Sequence, residues 1–425
     1  MQDWRVFIDE KADALFADVV ELRRYLHSHP ELSGAEWQTA SHLQQWLRER
    51  DVDSSAVADN RGLIVDLQQQ STPTDPGQGG ELARFGLRAD TDALQIHDVK
   101  HVDYRSTVPN VMHACGHDVH SSILAGSLVI LHQLLESDLL AAADLTRPFA
   151  VRGLFQPAEE ICVGASTMIA AGAIENLEAI LAFHVDPFRE VGRVAYRSGV
   201  MAASCDELIV AICGKGGHAA RPHHTRDPIT AAAQFLNAVH VQIPRGADSL
   251  DTVVVGFGSI HGGEQCNVIP ELVQLRGTLR ALTPPTRAEA LERLHELAEA
   301  IGSASRTRIS VETGVSTPPV INDSRVVELA ERAMIDAFGA DHVEHMQQPS
   351  MGGEDFAYYL EHIPGALLRL GTGDPGKEPT GLHTPNFDVQ EEVMRVGIRC
   401  MTRVAVEWFR QAAGDESARP DKATG

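Results

Sequence analysis

The sequence predicts an α/β protein with a smaller α+β domain inserted into it, and three observations carry that expectation. Over the first 198 residues strand-like runs alternate with helical ones, and the strands end in residue types that carry chemistry. From 199 to 315 the order becomes β-α-β-β-α-β, the split arrangement of a ferredoxin-like domain with both helices on one face of an antiparallel sheet. At 425 residues the chain also exceeds what one hydrophobic core spans. The α/β pattern then resumes, so the larger domain is expected to be discontinuous, residues 1–198 and 316–413, around the insert at 199–315. A polar, disordered tail is expected at 414–425.

Each element has its own signal. Phe7, Ala12, Leu15, Phe16, Val19, Val20, Leu22 and Leu26 recur at three- and four-residue spacing and mark an amphipathic helix that stops near His29-Pro30. A second helix is predicted over 36–50 and a strand over 62–67, while the Pro- and Gly-rich stretch 68–80 reads as a hairpin or surface loop. Residues 85–90 read as a buried strand ending in a carboxylate, 121–135 as an apolar helix, and 150–155 and 179–184 as strands. In the insert, strands are predicted at 207–212, 252–257, 272–282 and 308–312, and helices at 227–241 and 285–301.

Composition excludes several classes of function. The 43% hydrophobic and 22% charged content is that of a globular chain, not a disordered one. Acidic residues outnumber basic ones 59 to 36, and the net charge of -23 repels phosphate backbones and anionic lipid, so neither nucleic acid nor a membrane is expected as a partner. The six cysteines show no paired spacing, which points away from a disulfide framework and toward a reducing compartment. No apolar leader or uninterrupted membrane-length apolar run is present, and a cytoplasmic protein is expected.

The densest chemistry lies in Met112-His113-Ala114-Cys115-Gly116-His117-Asp118-Val119-His120, which reads as a metal site: Cys115 and His117 suit a borderline-soft divalent ion, and Gly116 lets the backbone turn between them. Gln156-Pro157-Ala158-Glu159-Glu160 follows a strand and offers adjacent carboxylates, one to ligate a metal and one to act as general base; taken alone, these residues read more readily as a solvated acidic turn. His184 and His383 stand at expected strand ends, where a lone histidine is more often structural. The set of one thiol, one carboxylate and three imidazoles, with a spare glutamate, outweighs that reading.

These runs, with Gly214-Lys215-Gly216-Gly217-His218-Ala219-Ala220, Asn267-Val268-Ile269-Pro270, Gly352-Gly353-Glu354-Asp355-Phe356 and Leu382-His383-Thr384-Pro385, resemble the binuclear metallo-amidohydrolases that include hippurate hydrolases, N-acyl-amino-acid hydrolases (aminoacylases) and auxin-conjugate hydrolases. The resemblance spans Leu26-His27 to His383 and keeps the motif order. It implies a metallopeptidase-like catalytic domain with a central mixed sheet and flanking helices. It also implies two divalent metal ions, zinc by ligand softness, with manganese, cobalt or nickel as alternatives.

By the same resemblance Cys115 would bridge the ions, Glu160 and His383 would complete one, and His117 and His184 the other. Glu159 would be the general base. Asp90 would orient a ligand, although a strand-end hydrogen bond is an equal reading. His218 would steady the oxyanion from the partner subunit of a homodimer formed through the insert. Asn267 and Arg280 would meet the substrate carboxylate, though Arg280 reads as well as a surface ion pair, and Gly352 and Gly353 could offer N–H groups to an anion. Cys162 stands where the relatives usually have glycine, Gln95 where proline is common, and His224 adds an imidazole beside His223.

The implied activity is metal-dependent hydrolysis of the amide of an N-acyl amino acid, releasing a carboxylic acid and a free amino acid. A dipeptidase or carboxypeptidase, or a catalytically silent relative that binds such conjugates, are the alternatives.

Overall fold

A computed structural model describes residues 3–69 and 82–411. The proposed loop at 68–80, beyond its first two residues, and the tail at 414–425 lie outside them. Two compact units form, one from Met1–Gly199, Asn322–Gln347 and Tyr359–Gly425, the other from Val200–Ile321 and Gln348–Tyr358. The smaller unit therefore runs past residue 315 to Ile321, and it takes in 348–358, which the sequence assigned to the larger domain.

The larger unit is built on an eight-stranded mixed sheet in the order Ser55–Val57, Gly62–Gln68, Ala150–Gln156, Arg84–Asp90, Leu177–Glu190, Gly365–Gly373, Val194–Tyr196, Val343–His345. Its four central strands, from Ala150–Gln156 to Gly365–Gly373, are mutually parallel. Every residue of Ala150–Gln156 is buried, as are all but the first of Arg84–Asp90, which is the run-on apolar pattern of strands covered on both faces. Each fully buried Phe or Leu there contributes roughly 1.5–3 kcal/mol, so this centre is the rigid part on which loops can hold a site.

Helices Trp4–Ser28, His117–Leu135 and Glu392–Arg410 pack against one another and on the sheet. The first is capped by Asp3, whose side chain accepts from the Arg5 N–H, and it ends at His29 as the spacing predicts. His117–Leu135 is long and apolar enough to cross a membrane, yet most of it is buried in the protein core. It starts four residues before the predicted Ser121. Buried His117, Asp118 and His120 fill its first turn and interrupt the apolar pattern from which the sequence was read. The strand predicted to end at His184 continues to Glu190 through Pro187.

In the smaller unit the four-stranded antiparallel sheet runs Val253–His261, Leu272–Ala281, Cys205–Cys213, Arg308–Thr317, with helices Pro228–Gly246 and Pro284–Ser305. This is the ferredoxin-like arrangement the element order predicts. Along Cys205–Cys213 burial alternates, and Leu208, Val210 and Ile212 join Phe235, Val239, Leu294 and Leu297 from the helices in one core. One face is therefore covered and the other solvated. Both helices begin as their sequences signal, with side-chain caps at Asp227 and Thr283 followed by proline.

Candidate metal centre

The centre forms at the carboxyl ends of the parallel strands of the larger unit, where chain reversals leave backbone and side chains unpaired. Gly116, with φ +83, caps the helix His117–Leu135 and separates Cys115 from His117. A Cβ there would stand 2.5 Å from Val185 Cγ2, so only glycine meets both the left-handed backbone and the packing.

All five metal-ligand candidates come together. Cys115 Sγ lies 3.5 Å from His184 Nε2 and 3.3 Å from His383 Nε2. Glu160 Oε1 lies 3.3 Å from His383 Nε2 and 3.9 Å from His117 Nε2. The donor atoms of Cys115, His117 and His184 fall within 4.8 Å of one another, as do those of Cys115, Glu160 and His383, so Cys115 belongs to both groups. The His383 N–H donates to the Ala114 carbonyl at 2.8 Å, which ties this late loop to the residue before Cys115.

Glu159 is 7% exposed, with Oε2 3.9 Å from His117 Nε2. The sequence places the two glutamates directly after a strand, one as ligand and one as base. They occupy a tight turn, in which Ala158 has φ +57 and Cys162 φ +55, and both carboxylates come within 3.9 Å of the same imidazole nitrogen. The left-handed conformation at Cys162 is one that favours glycine.

Hydrogen bonds fix which nitrogen each histidine presents. His184 Nδ1 donates to the Val185 carbonyl at 2.8 Å, leaving the Nε2 lone pair beside Cys115. His117 Nδ1 donates to Asp92 Oδ1 at 3.1 Å, and its Nε2 is buried with no hydrogen-bond partner among the described residues. Asp92 Oδ2 also accepts from Ser33 Oγ at 2.6 Å and from the Glu160 N–H at 3.0 Å. Asp92 was not singled out from the sequence; the Asp90-Thr91-Asp92 spacing, two carboxylates on one side of an extended strand end, was the signal for it.

Of its two readings, Asp90 takes the strand-end hydrogen bond. It accepts from Arg88 at 2.6 Å and from His120 Nδ1 at 2.6 Å, and His120 Nε2 accepts the Val185 N–H at 2.9 Å. Asp90 thus steadies the residue next to His184 through His120, while the carboxylate bonded to a ligand candidate is Asp92. It sits one alternation further out than Asp90, where it reaches the His117 ring.

The electrostatics are those of a site built around cations. Burial and the nearby Glu160 charge push the Cys115 thiol up to about 12. Burial works against a charge on His117, but Asp90, Asp92 and Cys115 raise its imidazole well above the ordinary range. Burial, with the Arg369 charge, holds His184 well below it and therefore neutral. Protein groups alone leave a protonated thiol, and the buried His117 Nε2 and Glu160 Oε1 lack hydrogen-bond partners among the described residues. Dications would satisfy all of them at once, displacing the protons of the thiol and of His117 Nε2 and meeting the Glu160 oxygen, so the residues fit the expected metal.

The smaller unit holds the remaining candidates in two pairs. His218 pairs with Val268 in a short antiparallel ladder, and the Ala219 N–H donates to the Asn267 carbonyl at 3.0 Å. His218 is exposed, and its Nδ1 accepts the Ala220 N–H at 3.1 Å. Arg280 Nη1 donates to the Met351 carbonyl at 2.8 Å, beside Gly352. The Gly352 N–H is already bonded to Ser350 Oγ at 3.0 Å, and a Cβ on Gly353 would stand 2.9 Å from Cys205 Cβ. These glycines thus serve turn and packing, with Gly352 lacking a spare donor for an anion.

Comparison with known proteins agrees with this geometry. A profile of peptidase family M20/M25/M40 matches residues 86–407. The chain is 34% identical over 378 residues to an N-acetyl-L-cysteine deacetylase of Bacillus subtilis, covering 88% of this chain and 84% of that one. It is 32% identical over 404 residues to an IAA-amino acid hydrolase of Arabidopsis thaliana, covering 94% and 87%. A solved Bacillus subtilis structure described as a dinuclear metal binding peptidase superposes with a TM-score of 0.76 at 30% identity, covering 93% of this chain and 98% of that one. With its fold, order of motifs and cluster of candidate metal ligands accounted for, the chain belongs to peptidase family M20/M25/M40 and is a hydrolase of that family.

Proposed function

We propose that the protein hydrolyses the amide bond of N-acyl amino acids, releasing a carboxylic acid and a free amino acid. The observation that carries this reading is the convergence of Cys115, His117, His184, Glu160 and His383 with Glu159 alongside. Those five side chains would hold two divalent cations, which supply the positive charge that polarises an amide carbonyl and acidifies water. The thiol, imidazole and carboxylate donors suit zinc, with manganese, cobalt or nickel as alternatives.

Glu159 receives the proton of the attacking water on a carboxylate oxygen and returns it to the leaving amine nitrogen, so one side chain serves both halves of the reaction. Because His218 Nδ1 accepts the Ala220 N–H, the hydrogen of the neutral ring sits on Nε2 and is available to the oxyanion. In this reading His218 acts in the site of the partner subunit of a homodimer, and Asn267 and Arg280 receive the substrate carboxylate. Arg280 has donors left after its single bond to Met351.

The test is amino-acid release from N-acetyl, N-benzoyl, N-indoleacetyl and long-chain N-acyl amino acids by chelator-treated enzyme, with and without added zinc, manganese or cobalt. Metal-restored release from any of them supports the proposal. No release with two metals bound per chain overturns it, and cleavage of dipeptides alone assigns the site to peptides.

A further inference from the structure

The turn that aims Glu159 is held from outside itself. Ala158, directly before Glu159, has φ +57, a conformation that a side chain disfavours and that persists only where neighbours over-determine it. Its N–H donates to Glu36 Oε1 at 2.8 Å, an oxygen that also accepts the Gly34 N–H at 2.8 Å. On the far side of Glu159, the Glu160 N–H is taken by Asp92. The amides flanking Glu159 are thus both bound by carboxylates from distant parts of the chain.

Glu36 is unusual for its position. It is the N-cap residue of the helix Trp37–Arg48, yet its side chain makes no capping bond to that helix. It is fully buried, and its Oε2 has no hydrogen-bond partner among the described residues. Leaving a carboxylate oxygen buried and unbonded is unfavourable, and the first turn of the helix takes its side-chain acceptor from Glu31 instead, whose Oε2 receives the Thr39 N–H at 2.8 Å. What the arrangement secures is a bond across 122 residues to the Ala158 amide.

We propose that Glu36 is a positioning residue for the general base, fixing the left-handed turn at Ala158 so that Glu159 faces the reacting water. The inference rests on the reading of Glu159 as that base. Glu36 does not touch substrate, and what it controls is the direction of Glu159.

The experiment compares Glu36→Ala, Glu36→Gln and Glu36→Asp in the full metal-loaded chain. Its readouts are kcat, KM, metal content and hydrogen exchange of the Ala158 amide. Expected for Glu36→Ala are a kcat at least tenfold lower, KM and two metals per chain retained, and faster exchange at Ala158. Glu36→Gln keeps an oxygen acceptor and should recover at least half of the rate. Should Glu36→Ala not fold, Glu36→Asp replaces it: the charge remains but the reach is too short, so kcat should fall in the same way.

Unchanged kcat in folded Glu36→Ala or Glu36→Asp overturns the proposal. So does a rate loss that Glu36→Gln shares while Ala158 stays protected, or one that merely tracks lost metal. Glu159→Gln separates this from the parent reading. If Glu159→Gln stays active, the base assignment fails, and this proposal with it. If it is inactive while Glu36→Ala is fully active, only the positioning role fails. Adding Glu36→Ala to Glu159→Gln should not lower the residual rate further, whereas an independent structural defect would.

Discussion

Asp92 and His117 share a 3.1 Å hydrogen bond that directs the imidazole Nε2 into the cluster of candidate metal ligands, while the other oxygen of Asp92 holds the backbone of Glu160. One carboxylate therefore orients two ligand candidates, one by its ring and one by its main chain. Asp92→Asn cannot keep both. Whichever way the amide turns, its NH2 faces a donor, either the His117 Nδ1–H or the Ser33 and Glu160 donors. Metal affinity should fall by about 10–100-fold, read by chelator competition. An unchanged metal dissociation constant would show that Asp92 does not tune the site.

Gly116 and Val185 set the spacing between Cys115 and His117. Gly116→Ala places a Cβ 2.5 Å from Val185 Cγ2 on a backbone with φ +83. Left-handed strain and overpacking together should cost about 2–4 kcal/mol, measured by denaturant unfolding of metal-free protein. A loss below about 0.5 kcal/mol, the size of an ordinary surface substitution, would mean that the turn relaxes and that glycine is not required there.

The parts of the site legible in the sequence are those in which chemistry restricts residue type. Cys115 and His117 stand out because a thiol and imidazoles crowd one short motif, whereas Glu160, His184 and His383 gain weight only as members of the set and through the resemblance. The supporting contacts are less legible. Asp90 and Asp92 look alike in one dimension, and only the curvature of the chain beyond the strand brings Asp92, not Asp90, to His117 Nδ1. Glu36 looks like an ordinary cap, since its bond to Ala158 spans 122 positions. The early start of the helix His117–Leu135 escaped notice because its first turn buries polar residues. Segment 348–358 reads as part of the larger domain by chain order, while Gly353 packs against Cys205 and Thr317 of the smaller one.

Acid should reveal a second buried ionic cluster. Asp98 is 4% exposed; burial alone would raise its pKa, but the hydrogen bond to His27, the N–H groups of Lys100 and Ser106 and the Lys100 charge hold it well below the usual carboxylate range. A depressed folded pKa adds stability that is complete above the unfolded value, about 4, and is lost as pH falls through the folded one. Metal-free wild type should therefore lose stability progressively below about pH 4. Asp98→Asn should start less stable at pH 7 and decline less steeply. Parallel curves of melting temperature against pH for the two proteins would exclude Asp98 as the source.

If His218 donates to the oxyanion across a homodimer, each catalytic site draws Glu159 from one chain and the partner's His218 from the other. His218→Ala and Glu159→Gln homodimers should each be inactive. Subunit exchange between them creates mixed dimers with one intact site and one doubly defective site. At equal input about half the dimers are mixed, so recovery should approach about a quarter of wild-type activity by the symmetry of the pair. Silence after proven exchange would place His218 outside the reaction or within its own chain's site. Activity of the His218→Ala homodimer alone would remove it from oxyanion stabilisation. Recovery near a quarter would bind the dimer to the chemistry, because no single chain in the mixture carries both residues.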